Sequence, residues 1–444
     1  MPQLRVGITG ASGLIGRAVT SKLRERGWLG VPLPRQPRAE NLEGLDAVVN
    51  LAGEPVDGRW TESKKAAIRA SRVEGTRALV AALGACSTKP RTLVSASAVG
   101  YYGDRGDEPL FESSVAGDDF LATVCREWER EAVEAEQLGI RTVILRTGIV
   151  LARDGGALPK MAHPFKFGAG GPLGNGRQFV PWIALEDIAS LYLFALDRET
   201  LRGPINAVSP DVATNSRLAQ AIGLALHRPA FAPAPGFALR ALLGEFAGTL
   251  LASQLALPSV AAAAGYEWRE KRLEIALQHI LAPGAGDTPA IHTFTSEQFV
   301  PQAADAIFAF FSDARNLEAI TPPSLRFKIT RTGDPIREGS VIEYDLRLHG
   351  LPISWKTLIV DWDPPHGFTD LQLRGPYALW EHRHRFVPVP NGTLVTDDVS
   401  YLLPHAQLSA IAAPLVRRDV EAIFEYRRRE IGRRFEGGSS QVAP

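Results

Sequence analysis

Three groups of residues in this 444-residue chain carry types and spacings that chemistry can use. The first is GITGASGLIGRA, which sets Gly10, Gly13 and Gly16 three residues apart. Such a turn lets backbone N–H groups and the positive end of a following helix approach a pyrophosphate, while the last glycine permits close packing of helix on strand. The second is SASAVGYYG, whose Ser95, Ser97, Tyr101 and Tyr102 offer hydroxyls to orient a carbonyl or move a proton. The third is LWEHRHRFV, where period-two alternation puts Trp380, His382, His384 and Phe386 on one face of a strand and Glu381, Arg383 and Arg385 on the other. Two histidines at that spacing could share a metal. No clear carboxylate accompanies them on their own face, so they are read as cavity-lining or hydrogen-bonded histidines and no metal is expected.

A glycine turn of the first kind needs a strand before it, a helix after it and a parallel sheet to sit on. Leu4 to Thr9 reads as a buried strand, and Leu14 to Arg26 carries Leu14, Ile15, Ala18, Val19 and Leu23 at helical spacing. The alternation continues through strands at Leu29 to Leu33, Ala47 to Leu51, Thr92 to Ala96 and Thr142 to Leu145, with helices at Ser63 to Leu83 and Phe120 to Gln137. Each parallel connection needs a crossover, so this rhythm predicts an α/β fold with a Rossmann-type, doubly wound parallel sheet. From Arg146 to Leu281 the pattern loosens into glycine- and proline-rich loops between short helical pieces, the look of a substrate-side segment over residues 147–281.

APGAGDTPA, residues 282–290, is expected to be a linker, dividing a first domain over 1–281 from a second over 291–436. In the second, a strand at Ile291 to Val300 and helix-like pieces between Ala303 and Ile320 precede six strand-like segments from Arg326 to Leu402. A long amphipathic helix from about Leu408 to Phe435 follows, with Ile411, Leu415, Val420, Ile423, Phe424 and Ile431 as its apolar stripe and its arginines on the outer face. This is an α+β pattern, a curved sheet wrapped on a terminal helix, and residues 437–444 are expected to be a flexible tail.

Around the glycine turn, PLPRQPR after the second strand supplies Arg35, with Arg38 as a second candidate, where an acid would favour the NAD ribose, so NADP is expected over NAD through the 2′-phosphate. The backbone and small side chains of Ser12, Leu14, Ile15, Leu51, Ala52, Gly53 and Glu54 are expected on the cofactor side. Lysine plus arginine equals aspartate plus glutamate, 49 each, which removes a global electrostatic reason for nucleic acid or an anionic membrane as partner. Cys86 and Cys125 are the only cysteines, too few for a disulfide framework, and a cytoplasmic protein without a signal peptide is expected. The uncharged stretch Phe246 to Tyr266 is interrupted by Ser253, Gln254, Pro258 and Ser259, which predicts two short helices meeting at the proline rather than a membrane span.

Taken together, TGASGLIG, NLAGEPV, SRVEGT, SASAVGYYGDRG, FLATVCREWE, GGPLGNGRQFVPWI and LHRPAFAPAP resemble the extended short-chain dehydrogenase/reductase superfamily, and within it an epimerase-like subgroup of NADP-dependent oxidoreductases or sugar-nucleotide epimerases. The resemblance covers residues 4 to 281. Residues 291 to 435 resemble, less specifically, the START-like (SRPBCC) superfamily, a helix-grip fold around an apolar cavity, which implies a small apolar ligand in the second domain. The first resemblance implies a small carbonyl, hydroxyl or sugar-nucleotide substrate. It also implies cofactor-side roles for Arg72, Ser95, Ala96 and Arg146 and substrate-side roles for Arg177, Gln178 and Trp182, with Asp187 anchoring its segment.

Extended members pair a serine with a tyrosine that transfers a proton and a lysine that lowers the tyrosine's pKa. Ser97 matches the serine, but Phe120 and Val124 stand at the other two positions. No lysine occurs between Lys89 and Lys160 and no tyrosine between Tyr102 and Tyr192, so no small shift in alignment restores the pair. Tyr101 and Tyr102 are the substitute phenols, with packing as their plainer reading. Cys125, Arg126 and Glu127 are further alternatives. A noncatalytic sensor of NADP(H) is the competing expectation.

Overall fold

A computed structural model describes residues 4–281, 291–332, 335–377, 379–403 and 406–436, the side chains of 406–412 and 436 excepted. The chain divides into two compact units, Met1–Thr288 and Pro289–Pro444. The expected linker 282–290, the tail 437–444 and the side chains of Leu408 and Ile411 lie outside the described residues.

In the first unit, valine, isoleucine and leucine runs flanked by helices make strands that are largely buried on both faces, as a parallel sheet requires, except at the edge strand Leu29–Pro32, whose residues are exposed or half-buried. These are β1 (Arg5–Thr9), β2 (Leu29–Pro32), β3 (Ala47–Asn50), β4 (Thr92–Ala98), β5 (Arg141–Thr147) and β6 (Gly203–Ala207), all parallel in the order β2-β1-β3-β4-β5-β6. The helices that cover them include α1 (Leu14–Glu25), α2 (Glu62–Gly84), α3 (Phe120–Val133) and α4 (Leu185–Asp197). Val6, Ile8, Val49, Val94, Val143, Leu145 and Ile205 have no exposed surface and form the middle of the core. Burying each such side chain contributes about 1.5–3 kcal/mol. The doubly wound sheet follows the sequence pattern. β6 does not, because GPINA is short and sits in the irregular stretch after Arg146.

The strand order places a switch point between β1 and β3, since the chain leaves β1 for β2 on one side and returns for β3 on the other. In open α/β sheets the crevice beyond such a point receives ligands. Within the uncharged stretch, the helices Phe246–Leu251 and Ser259–Ala263 lie either side of Pro258, with a short strand Leu255–Ala256 between them. No helix among the described residues is long and apolar enough to cross a membrane.

The second unit is a seven-stranded antiparallel sheet of β7 (His292–Val300), β8 (Lys328–Arg331), β9 (Val341–Leu348), β10 (Leu351–Asp363), β11 (Gly367–Arg374), β12 (Leu379–Val389) and β13 (Gly392–Leu402), in the order β7-β13-β12-β11-β10-β9-β8. Helices α5 (Ala304–Phe311), α6 (Ala314–Ala319) and α7 (Ala406–Glu436) complete it. Ile307, Phe308, Ile342, Ile359, Phe386, Val395 and Ile431 close its core. Of the terminal stripe, Val420, Phe424 and Ile431 are buried, whereas Leu415 is 45 % exposed. Arg427, grouped by sequence with the outer arginines, turns inward instead and is only 8 % exposed.

Candidate functional site

At the switch point Gly10 takes φ +68°, which glycine adopts without strain, and a Cβ there would stand 2.9 Å from the backbone of Leu51. A Cβ on Gly16 would stand 2.3 Å from the Gly10 carbonyl oxygen, so α1 seats against the turn only because that residue is glycine. Gly13 occupies the helix N-cap, no side chain caps α1, and its first turn holds no acid. The N-terminus is therefore left with its partial positive charge turned to the crevice, the arrangement that holds a pyrophosphate. Leu14 and Ile15 form the first turn, and the Ser12 carbonyl accepts from Arg17. These residues fit a dinucleotide.

A row of polar side chains braces the far wall. Register pairs Thr9 with Asn50 and Asn50 with Ser95 across β1, β3 and β4. Thr9 Oγ1 donates to Asn50 Oδ1 over 2.7 Å, and Asn50 Nδ2 donates to Ser95 Oγ over 3.2 Å and to Thr76 Oγ1 over 2.9 Å. The Thr9 hydroxyl also accepts the amides of Leu51 and Ala52, fixing the NLAG bend. Gly53 is exposed, and Arg72 from α2 lies against it, donating to the Glu54 carbonyl oxygen over 2.9 Å. Burial pulls the Arg72 pKa below its ordinary value. The Glu54 carboxylate pairs with Lys64 at 3.2 Å. Arg35 and Arg38 are exposed just beyond β2.

The hydroxyls read as catalytic lie elsewhere. Ser97, Arg146 and Asn206 are register partners across β4, β5 and β6 and project to the same face. There Glu129 of α3 accepts from Ser97 Oγ at 2.6 Å and takes a two-pronged bond from Arg146, Nε at 2.9 Å and Nη2 at 2.8 Å. Arg146 Nη1 reaches on to the Tyr102 hydroxyl and the Glu112 carbonyl oxygen, each at 3.0 Å, and Tyr102 donates to Asn206 Oδ1 at 2.6 Å. Ser97 is 3 % exposed and Tyr102 fully buried. Ser97 is thus turned into the protein and not toward a substrate, and Tyr102 is left with packing, its plainer reading. Burial pushes the Tyr102 phenol up to about 12, which makes it a poorer acid at neutral pH. Burial lowers the Arg146 pKa, but the pairing with Glu129 outweighs it and the net shift is upward.

Tyr101 is partly exposed, with the Arg146 guanidinium carbon 3.5 Å from its ring centroid, so of the three candidates only Tyr101 keeps an accessible surface. Ala96 and Ala98 are the partly exposed positions at the end of β4, where neither side chain can exchange a proton. Phe120 stands edge-on to Trp60 with centroids 5.1 Å apart, and Val124 is 1 % exposed inside α3. Cys125 is buried, its thiol pushed up to about 12 by desolvation, and Glu127 is tied to Arg69 at 2.7 Å. Arg126 is exposed.

On the substrate side, Arg177 is exposed, but Gln178 is 6 % exposed and donates to the Leu173 carbonyl oxygen. Trp182 is 1 % exposed and donates to the Asp211 carbonyl oxygen, so it serves packing and not a substrate. Asp187 anchors its segment, accepting the amides of Arg269 and Glu270 at 2.7 and 3.0 Å.

In the second unit a small cavity is lined by Phe310, Phe311, Leu317, Ile336, Phe368, Asp370, His384 and Arg427 among others. Of the four residues assigned to a cavity by alternation, His384 alone lines it. Phe386 is 1 % exposed in the core, Trp380 meets Trp355 edge-on and Tyr377 at a tilt, and His382 packs on Phe424. The carboxylates missing from the histidines' own face arrive from neighbouring strands: Asp370 of β11 is opposite His382, and Asp397 of β13 is opposite His384. Their oxygens lie 2.8–3.8 Å from the histidine nitrogens. Neither acid was legible, since cross-strand register is not written in one strand's alternation.

Comparison with known proteins adds lineage to this geometry. Residues 6–207 match the NAD dependent epimerase/dehydratase family, and residues 234–280 match a domain of unknown function, DUF1731. The chloroplastic epimerase family protein SDR39U1 homolog of Arabidopsis thaliana is 37 % identical over 303 residues, covering 63 % of this chain and 87 % of that protein. Human epimerase family protein SDR39U1 is 36 % identical over 294 residues, covering 63 % of this chain and 100 % of that protein. The crystal structure of human SDR39U1 (isoform2) with NADPH aligns at TM-score 0.59 with 35 % identity, over 63 % of this chain and 99 % of that one. A nucleoside-diphosphate sugar epimerase from Corynebacterium glutamicum aligns at TM-score 0.54 and 35 % identity, over 63 % of this chain and 58 % of that one. With this sheet, this glycine turn and the Arabidopsis and human relatives matched over 87 % and 100 % of their lengths, the chain belongs, through its first unit, to the NAD-dependent epimerase/dehydratase family.

Proposed function

We propose that the first unit binds NADP(H) and works as an atypical oxidoreductase or epimerase-like protein on a small carbonyl, hydroxyl or sugar-nucleotide substrate. The observation that carries this reading is the uncapped, acid-free N-terminus of α1, closed onto its turn through Gly16 and facing the β1–β3 switch point. Gly10, Gly13 and the first turn of α1 would hold the pyrophosphate, Leu51 to Gly53 the adenosine side, and Arg35 the 2′-phosphate. The human relative solved with NADPH supports the choice of cofactor. The nicotinamide supplies or accepts a hydride when bound. This chain's residues bind and orient it, while proton transfer falls to Tyr101 or to solvent, because Ser97 and Tyr102 have their hydroxyls committed inside the protein.

That commitment also favours a second reading, a noncatalytic sensor of NADP(H). Titration of the full chain with NADPH, followed by NADPH oxidation against a panel of carbonyl compounds and sugar nucleotides, separates the two. Binding with turnover that falls in Tyr101→Phe supports the enzyme, and binding with no turnover across the panel supports the sensor. Absence of NADPH and NADH binding removes both.

For residues 291–436 we propose a START-like module that takes a small apolar ligand, supported by the antiparallel sheet, its long terminal helix and the phenylalanine- and isoleucine-rich cavity. The division at the 282–290 linker and a cytoplasmic location belong to the same proposal.

A further inference from the structure

We propose that Asp370, His382 and His384 form a binding site for one divalent transition-metal ion of the zinc class in the second unit, with Asp397 as the carboxylate behind the imidazoles. This goes beyond the nucleotide-binding reading and does not depend on it.

The geometry separates the two acids by role. One nitrogen of each ring turns toward Asp370: His384 Nε2 lies 3.4 Å and His382 Nδ1 lies 3.8 Å from Asp370 Oδ2. Ligand atoms about 2.0–2.1 Å from a tetrahedral ion stand about 3.3 Å apart, so these three atoms need only small shifts to share one. One ligand atom from each of the three residues can be drawn within 4.8 Å of the others. The opposite nitrogen of each ring, His382 Nε2 and His384 Nδ1, lies 2.8 Å from a single oxygen of Asp397. Asp397 accepts a hydrogen bond from His382 Nε2, which fixes that ring's tautomer and leaves its Nδ1 lone pair for a metal.

The surroundings of the pair add to this geometry. Both histidines are 3 % exposed and their ring centroids stand 3.9 Å apart, so the pair is already gathered, with Asp397 on one side and Asp370 on the side where an ion would sit. Asp370 and His384 are also cavity wall, so three protein ligands would leave a coordination position directed to the cavity.

The test uses the full chain, free of any affinity tag and stripped of metal, titrated with Zn2+ alone and with Co2+ alone. One equivalent of each is expected, with Co2+ giving the visible absorption of a four- or five-coordinate ion carrying histidine nitrogen. His384→Ala and Asp370→Asn should lose the bound equivalent, whereas His163→Ala, exposed in the first unit, should keep it. Asp370→Asn changes few atoms and serves if His384→Ala does not fold. Asp397→Asn should weaken Zn2+ about 10–100-fold and shift the Co2+ spectrum while the thermal unfolding midpoint of the metal-free protein stays near that of the parent. No uptake of either ion by the folded chain, or uptake unchanged in Asp370→Asn, overturns the proposal.

Discussion

Ser97 and Glu129 meet over 2.6 Å beneath the end of β4, and the same carboxylate holds Arg146. The contact arises because Ser97 and Arg146 are register neighbours on β4 and β5, so both side chains face α3, where Glu129 is the matching acid. Ser97 is thereby part of the frame under the crevice. Loss of the acid and loss of the hydroxyl then have unequal consequences.

Glu129→Gln leaves Arg146 charged and buried without its directly paired carboxylate, a loss expected to cost about 3–5 kcal/mol. Ser97→Ala removes one hydrogen bond and leaves the ion pair, for about 1–3 kcal/mol. Urea unfolding of both variants should show that order, with NADPH affinity of the still-folded Ser97→Ala protein within about twofold of the parent, a difference of only a few tenths of a kcal/mol. A Ser97→Ala protein with parental stability and abolished turnover would mean that the serine acts on substrate.

Gly16→Ala tests the nucleotide turn. Its Cβ would sit 2.3 Å from the Gly10 carbonyl oxygen and 2.8 Å from the Ala11 Cα, both backbone atoms that cannot swing aside. Overpacking of this kind costs about 1–3 kcal/mol, and relief by pushing α1 off the turn displaces the N–H groups meant for phosphate. NADPH affinity measured by fluorescence titration should fall at least about tenfold, the equivalent of about 1.4 kcal/mol. Parental affinity would show that the pyrophosphate is held elsewhere.

Much of this was legible in the residues and some could not be. The strands through β5 could be read because valine, isoleucine and leucine runs alternate with helices of 3.6 periodicity, and GITGASGLIG marks its own turn. The roles of Ser97, Tyr102 and Trp182 were not legible. A serine ending a strand looks alike whether it faces a cofactor or a helix, and only the register with Arg146 and the placement of Glu129 decide between them. The same holds in the second unit. Alternation put His382 and His384 on one face, but their acids lie 12 and 13 residues away in sequence, on β11 and β13, and only strand pairing brings them together. Arg427 was misread because a run of arginines near a chain end resembles a solvated face, and the one that turns inward has no signal of its own.

Cofactor choice rests on Arg35, which is exposed beyond β2 with no acidic residue in PLPRQPR to meet an unphosphorylated ribose. Arg35→Ala should weaken NADPH about tenfold or more and leave NADH nearly unchanged, since a charge-assisted contact to phosphate contributes about 1.5–3 kcal/mol. Calorimetric titration with each nucleotide measures the difference. Equal losses for the two would remove Arg35 from the 2′-phosphate.

Glu112 supplies the pH-dependent test. It is 8 % exposed and its carboxyl accepts the amides of Asn206 and Val260, each at 3.1 Å, yet burial holds its pKa above the ordinary value of 4.5. A carboxyl whose folded pKa is raised binds its proton more tightly in the native state than in the unfolded one. Its contribution to stability is therefore fully present below about pH 4.5 and is lost as pH rises through the folded pKa. Glu112→Gln keeps an oxygen to accept both amides and cannot ionise, so it should escape that loss. The stability of Glu112→Gln relative to the parent, read from urea midpoints at several values between about pH 4.5 and pH 8, should move in the variant's favour as pH increases. A difference that stays constant with pH, or moves toward the parent, would mean that the two amides and Arg146 outweigh desolvation and that the carboxylate is the form the fold prefers.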